Sequence, residues 1–593
     1  MVLLPLLGIV SSYYDNRLLL LATFLIAAVT VFSAIGKSDE HVGKIRENYL
    51  ILLIFSVGLT LLMSQSASSS FLQGGDIHQE YNVFSQVLAA GVWHPNAATI
   101  YNSVLSITVF PAVLKIVSGL DAMVIFTTIF PLIFAIAPVL LYKLCRTFLP
   151  PTESFLATFL FLAYHSFYVD LISEARQEIA EVLLLLLLLL LCSREVIGKR
   201  AGAVSVLMLT VGIVTAHYSI AYIYLGLLAL WFLLGIAFRR MRSVKLSILA
   251  LTATFTVLWY AFLTSGIDFV NLVNFVLSIN LAEFFNPTSR PLVVNIALGA
   301  GALSGPLHLL SRMTYYLVNA ALALGFLVVL FKRNKDDRER EMLPILAFGV
   351  LFIGASVVIP NFGFGLNFAR QYHIGLLLAS PCFVYGVIFL NSKIRRLFSA
   401  LFHVSLRVPA MRCAMKWRFW AATLLFLFFL FDSGWIWAVS LSNPTSVLLD
   451  SERIKHQGDP PAGVTFYGVY TSSKDVAAAR WLSPQFGSAV SSLCADYWAR
   501  NNVLTSYGGL TRANATIPTY FLPSLCDFRK GYVFLSELNT VYGVGIEVGE
   551  SGGTKASQNN LQSSWPIAQI SPELNSDNVI YSNGGTTIYN YPG

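Results

Sequence analysis

Residues 170–192 read DLISEARQEIAEVLLLLLLLLLC. The unbroken leucines from Leu183 to Leu191 suit only lipid or a fully buried helix, and a helix that crosses a bilayer needs about 20 mostly apolar residues. Asp170, Glu174, Arg176, Glu178 and Glu181 precede the run. Glu174, Glu178 and Glu181 recur at i, i+4 and i+7, which is one helix face, and Asp170 lies a turn earlier. Acids this close to lipid are costly unless they face water, a cation or basic partners. Two readings stay open: a solvated helix end with Arg176 as counter-ion, or a functional carboxylate stripe.

The rest of the chain has the same apolar character. Its 593 residues are 56% apolar and 12% charged, with a mean hydropathy of +0.67. An average soluble domain is about a quarter charged, so a soluble enzyme, a disordered chain and a nucleic-acid binder are poor fits. Twelve stretches have the length and composition of spans: 17–35, 48–65, 122–145, 154–170, 179–193, 201–216, 219–238, 245–264, 313–332, 343–360, 371–391 and 419–439. The opening MVLLPLLGIV is too short to cross and lacks the basic start of a signal peptide, so residues 1–16 are left open as part of a further span. The expected fold is a polytopic α-helical membrane domain over 1–440, with a small α/β or α+β domain over 441–593.

The net charge of +8 reflects topology. From Asp450 onward the chain holds 9 Lys/Arg against 11 Asp/Glu, so the basic excess lies between the apolar stretches. Alternate loops, starting after the first stretch, hold 24 basic residues, and the opposite side holds Arg17, Lys115, Arg176, Arg290, Arg312 and Arg370. Basic loops stay in the cytoplasm. This predicts a multi-pass cell-membrane protein with loops 66–121 and 265–312 and the C-terminal domain outside. Cys494 and Cys526 both fall in that domain, where an oxidising compartment would allow a disulfide; the alternative is two buried thiols. The tail carries turn signals, strand-like runs at GVTFYGVY and TTIYNY, a helix at 475–482 and a glycosylation triplet at Asn514-Ala515-Thr516.

Residues 74–96, GGDIHQEYNVFSQVLAAGVWHPN, carry the densest chemistry. Residues 80–90 read as a short amphipathic helix ending at Gly91, and a second helix is expected at about 101–119. Asp76-x-x-Gln79 is a capping pattern. An extended segment would point Asp76, His78 and Glu80 to one side, where they could hold a divalent cation. In a helix, Asp76 and Glu80 share a face that His78 leaves. Arg370, in PNFGFGLNFARQYH with His373 a turn later, lies at an outer mouth, and Arg290 and Arg312 bracket the later part of loop 265–312. Arginine suits bidentate phosphate binding, and headgroup contact is the plainer alternative. His217 sits at a tight turn and reads as packing. No P-loop, GxGxxG, GxSxG or HExxH lies in a suitable context.

The acidic residue at the start of a two-helix first outer loop, GGDIHQE, resembles the GT-C membrane glycosyltransferases. These include oligosaccharyltransferases, protein mannosyltransferases and aminoarabinose transferases. A second acidic turn at 170–181 and an outer C-terminal domain fit the same resemblance. The wording GGDIHQEY, HYS and LNFARQYH is also similar to a large group of archaeal predicted membrane proteins. The acidic motif here is D-x-H-x-E where several GT-C members carry D-x-D, two spans precede the loop, and no WWDYG-type motif is present. The resemblance implies a polyprenyl-phosphate sugar donor, a glycan, lipid or protein acceptor, and inverting displacement with Asp76 as general base. Glu80 and Glu178 would join Asp76 in catalysis. Arg370, Arg312, Arg290 and His373 would hold the donor phosphate. A divalent cation, Mg or Mn, could sit among Asp76, His78, Glu174 and Glu178. The competing expectation is a polysaccharide polymerase or ligase-type protein, or a lipid-linked-sugar carrier, without transferase chemistry.

Overall fold

The computed structural model describes residues 16–35, 43–96, 99–193, 200–238, 244–263, 266–286, 305–333, 335–359, 362, 366–402, 416–442, 446, 448–457, 460–485, 492–510, 519–521, 526, 531–547, 563–575 and 577–590. Arg290, Arg239, Arg240, Arg242 and the Asn514 triplet lie outside them.

Among the described residues, seven helices are long and apolar enough to cross a membrane. An eighth crossing results if Pro151–Ala163 and His165–Ser173, bent by 74°, count as one. Four more of the expected stretches are helical but shorter or charged. Ala175–Cys192 carries Arg176, Glu178 and Glu181, Arg200–Ala216 and Leu246–Phe262 have 17 residues each, and Trp417–Asp432 has 16. The stretch expected at 419–439 breaks at Gly434, whose φ of 83° stops one helix and starts Trp435–Val439.

The helices share one large apolar core, with Leu184, Leu187 and Leu188 of the leucine run fully buried in it. The run is thus largely a helix–helix surface. Helices Pro306–Phe331 and Phe368–Phe402 pack closest, at Gly325 and Gly386. A methyl on Gly325 would strike the carbonyl oxygen of Cys382, and one on Gly386 that of Ala321. Small residues allow this backbone approach between apolar helices.

Between residues 74 and 119 the described backbone is mostly helical. Helix Asp76–Ala90 ends at Gly91, which adopts a left-handed φ of 66°. A 3₁₀ turn, Ile100–Ser103, and helix Val109–Ser118 replace the single helix expected at 101–119. The helical course overturns the extended alternative for Asp76, His78 and Glu80.

Among the described residues the C-terminal region holds a five-stranded sheet of β1 Leu493–Ala495, β2 Thr519–Phe521, β3 Tyr532–Leu535, β6 Asn578–Ser582 and β7 Thr587–Asn590, in the order β2-β1-β3-β7-β6. β1 pairs parallel with β2 and β3, and β7 pairs antiparallel with β3 and β6. β4 Val544–Glu547 and β5 Ser563–Pro566 form a separate antiparallel pair. Cys494 of β1 and Cys526 are bonded, with Cα atoms 5.8 Å apart. TTIYNY supplies β7, whereas GVTFYGVY starts in helix Pro460–Tyr467 rather than a strand. Pro460 and Pro461 open that helix, where a missing N–H costs nothing, and Ala462, Gly463 and Phe466 bury its inner face.

Candidate functional site

The start of helix Asp76–Ala90 meets the acidic turn before the leucine run, and Arg176 joins them. Its Nη2 lies 2.7 Å from Oδ2 of Asp76 and 2.7 Å from Oε2 of Glu174, and its Nη1 bonds Oε1 of Glu80. Arg370 pairs with the other oxygen of Glu174. The Arg176 guanidinium also lies 4.9 Å from the ring centroid of Tyr101 and 6.0 Å from that of Tyr218. Residues a hundred and two hundred positions apart thus form one cluster of three carboxyls and two guanidiniums.

Only one carboxyl of the cluster opens outward. Asp76 keeps 40% of its side-chain surface exposed, against 0% for Glu80, 3% for Glu174 and 2% for Arg176. It lines a cavity of about 830 Å³ with Tyr101 and, from the C-terminal region, Tyr497, Trp498, Arg500 and Asn501. Burial raises the Asp76 carboxyl. Arg176, a hydrogen bond from Glu174 and Arg370 outweigh that and hold it well below the usual carboxylate range. Glu174 goes the other way: burial drives it well above its ordinary value against the pull of Arg176 and Arg370. Two touching carboxyls pushed apart in this way divide into one anion and one acid. Burial also raises Glu80, to about 7, with Arg176 opposing and Asp76 adding to the rise.

His78 takes no part in this cluster. It is fully buried, its Nδ1 is 2.7 Å from Oγ of Ser506, and its Nε2 is 3.3 Å from Oγ1 of Thr471. Burial pushes it down to about 3, so it is neutral. Around it the C-terminal region docks by Gly74 N to Val469 O (2.7 Å), Thr471 Oγ1 to Leu72 O (2.7 Å), Leu72 N to the Tyr507 hydroxyl (2.9 Å) and Gln79 Nε2 to Asn501 O (2.8 Å). These bonds close one wall of the cavity over Asp76.

Several expected roles need correction. Glu80 and Glu178 are buried away from the cavity, so neither reaches a substrate, and Glu80 instead anchors Arg176. His373 is sealed inside the bundle, 3.1 Å from Glu181. Arg370 pairs with Glu174 and keeps 16% of its side chain exposed, and Arg312 lies on helix Pro306–Phe331; neither position contradicts the expected phosphate-binding role. Among the described residues no three His, Cys, Asp or Glu are gathered to hold a metal. The guanidinium of Arg176 fills the space between Asp76, Glu80 and Glu174 that a cation would need, so these residues do not fit one as arranged.

Asp475 and Asp496 are structural acids. Asp475 Oδ1 accepts from Glu537 N and Thr586 Oγ1, and Asp496 accepts from Ala499 N and Asn539 Nδ2. Trp481 packs on Tyr581 in the sheet core. His217 caps helix Tyr218–Ala237, its Nδ1 accepting from Ser219 N and Ile220 N. The sequence reading missed Tyr101 and Asn501, which carry no local pattern and enter the site only through packing.

Residues 204–589 match the family model described as "Predicted membrane protein (DUF2206)". The chain belongs to this family. No curated protein matches it by sequence. Among solved structures it is similar to the apo form of the oligosaccharyltransferase of Archaeoglobus fulgidus, with a TM-score of 0.47 and 12% identity over 83% of this chain and 70% of that one. It is also similar to the arabinofuranosyltransferase AftD from Mycobacteria, with a TM-score of 0.42 and 11% identity over 92% of this chain and 40% of that one. A mutant form of AftD gives 0.42 and 14% over 91% and 41%. The chain thus spans about two fifths of the length of AftD.

Proposed function

We propose that this membrane protein is a glycosyltransferase that moves a sugar from a polyprenyl-phosphate-linked donor to a glycan, lipid or protein acceptor. The observation that carries the reading is the position of Asp76: a carboxyl paired with Arg176 and open to a large cavity between two parts of the chain. The 24 basic residues on one side of the twelve expected spans support a cavity and sheet region that face away from the cytoplasm, in the cell membrane.

The acceptor hydroxyl binds beside Asp76, which takes its proton as the oxygen attacks the anomeric carbon. The donor phosphate leaves from the opposite face, so the configuration inverts. An acid held this far below neutrality is a weak base, and its help comes late, as the attacking oxygen becomes acidic. Burial pushes Glu174 well above its ordinary value, which lessens the repulsion between the two adjacent carboxyls. Arg176 lies behind the Asp76 carboxylate on the acceptor side and holds it in place as it takes the proton; fixed charge of this kind stabilises an anion without reorganising.

Asp76→Asn tests this. It keeps an oxygen for Arg176 but cannot take a proton. Transfer from a radiolabelled polyprenyl-phosphate hexose to a mixture of glycan and peptide acceptors should fall about 10²–10⁴-fold, with the melting temperature little changed. Equal transfer by the folded variant would remove Asp76 from the chemistry.

A further inference from the structure

A second cavity of about 330 Å³ lies at the same end of the bundle as Asp76 but is built by other helices. Ser64 and Gln65, in the last turn of the helix that leads into the 67–75 strap, form one wall. His165, at the 74° bend after helix Pro151–Ala163, forms a second, and Asp432 and Trp437, either side of the Gly434 break, a third.

Asp432 is fixed on every side. It accepts from the backbone N–H of His165, from the Tyr315 hydroxyl and from the His165 ring, whose Nδ1 is 3.2 Å from both carboxylate oxygens. Only 2% of its side chain is exposed, so it cannot engage a ligand cation. The His165 ring is 33% exposed, and with Nδ1 held by Asp432 its Nε2 is left for the cavity. The two charges offset each other, and among the described residues no other charged residue lines the space. An anion or a cation would therefore enter without a partner, which is costly. Tyr168 is 6% exposed, lines the cavity, and its buried hydroxyl has no hydrogen-bond partner. A buried polar group without a partner costs free energy that a ligand can return. The Ser64 hydroxyl donates to Leu61 O and the Thr23 hydroxyl to Leu19 O, so each offers the cavity an acceptor oxygen. Trp437 and Phe431 add aromatic surface.

We propose that this cavity binds a neutral, polyhydroxylated group the size of one hexose, as a free sugar or as the sugar head of a glycolipid. Ligand hydroxyls donate to the lining oxygens, ligand oxygens accept from His165 Nε2–H and from the Tyr168 hydroxyl, and the aromatic rings cover the C–H face. The volume is at the small end of ligand sites, which are about 300–1,000 Å³. This site does not depend on Asp76 being catalytic.

The test reads His165 directly. The full chain in phosphatidylcholine nanodiscs, free of glucoside or maltoside detergent, is treated with diethyl pyrocarbonate, and carbethoxylation of His165 is followed by peptide mass spectrometry. Soluble methyl hexosides form one arm and nanodiscs containing a monohexosyl diacylglycerol the other; inorganic phosphate is the control. At least one sugar arm should slow modification of His165 about fivefold or more, as burial of Nε2 under a ligand requires, and phosphate should not. The arm that protects at lower concentration names the source. Tyr168→Phe removes only the unpartnered hydroxyl, and the sugar concentration for half-protection should rise about fivefold. Absence of protection in both sugar arms overturns the proposal, as does equal protection by phosphate or an unchanged half-protection in Tyr168→Phe.

Discussion

Arg176→Met leaves Glu80 without its cation, and the structure fixes how the cost depends on pH. Breaking a buried pair typically costs about 3–5 kcal/mol, but a buried carboxyl can avoid part of that by taking up a proton. Glu80 has no exposed surface, so in the variant it stays protonated in the folded state across the measurable range. In the wild type it titrates at about 7, against an ordinary 4.5, burial raising it and Arg176 holding it back. Between 4.5 and 7 both folded proteins hold a proton that the unfolded chain has lost, and both lose stability equally as pH rises. Above 7 the wild type releases its proton and levels off. The variant continues to lose about 1.4 kcal/mol per pH unit. The gap between them should therefore be constant below pH 7 and widen above it. Adding Glu80→Gln to Arg176→Met should remove the widening. Thermal unfolding of the purified protein in nanodiscs, scanned from mildly acid to mildly alkaline buffer, measures both slopes. Curves that stay parallel above neutrality, or a double variant that keeps the extra slope, would refute the reasoning.

His78 gives the opposite sign. Its folded value of about 3 lies below the ordinary 6.5, so docking of the C-terminal region should be at full strength above 6.5 and weaken as pH falls, by up to about 1.4 kcal/mol per unit. Hydrogen exchange at the amides of Leu72 and Gly74 should speed up on acidification in the wild type and respond less in His78→Gln. Opening the Cys494–Cys526 bond frees a loop of 32 residues, a loss of about 4 kcal/mol in the chain-entropy model; Cys494→Ser should lower the melting temperature of the sheet region and leave the bundle's transition in place. Gly386→Val should prevent helices Pro306–Phe331 and Phe368–Phe402 from closing and give little folded protein on size exclusion, whereas Gly354→Ala, with nothing within 4 Å of its added Cβ, should be tolerated.

Much of the membrane character was legible from residues alone, because a bilayer imposes length and polarity on every segment. The distribution of Lys and Arg is likewise a local property of loops. The helix over 80–90 and its end at Gly91 followed from local signals, as did β7, whereas the extra turn from Asp76, which Gly75 and not Asp76 caps, did not. GVTFYGVY misled because alternation over a few residues does not separate a strand from a short helix opened by Pro460-Pro461. Asp76 and the 170–181 turn were each suspect in isolation, since acids near lipid need a reason. Their joining was not visible: Arg176 lies 100 positions from Asp76 and Arg370 lies 194 from Arg176, and no local rule pairs them.

Residue order and composition alone are enough to read a helical membrane protein with two acidic turns beside its apolar stretches. Tertiary structure alone decided which carboxylate is open and ionised. Asp76, Glu80 and Glu174 are the same chemistry on paper. Burial raises all three, and only the placement of Arg176, Arg370 and the cavity leaves Asp76 charged and exposed while Glu80 and Glu174 are closed in. The same holds for His78, which sits among acids in sequence but is turned by the helix to the opposite face, where it bonds the C-terminal region. Desolvation and charge pairing act through space between residues far apart in the chain, so only the folded arrangement sets them.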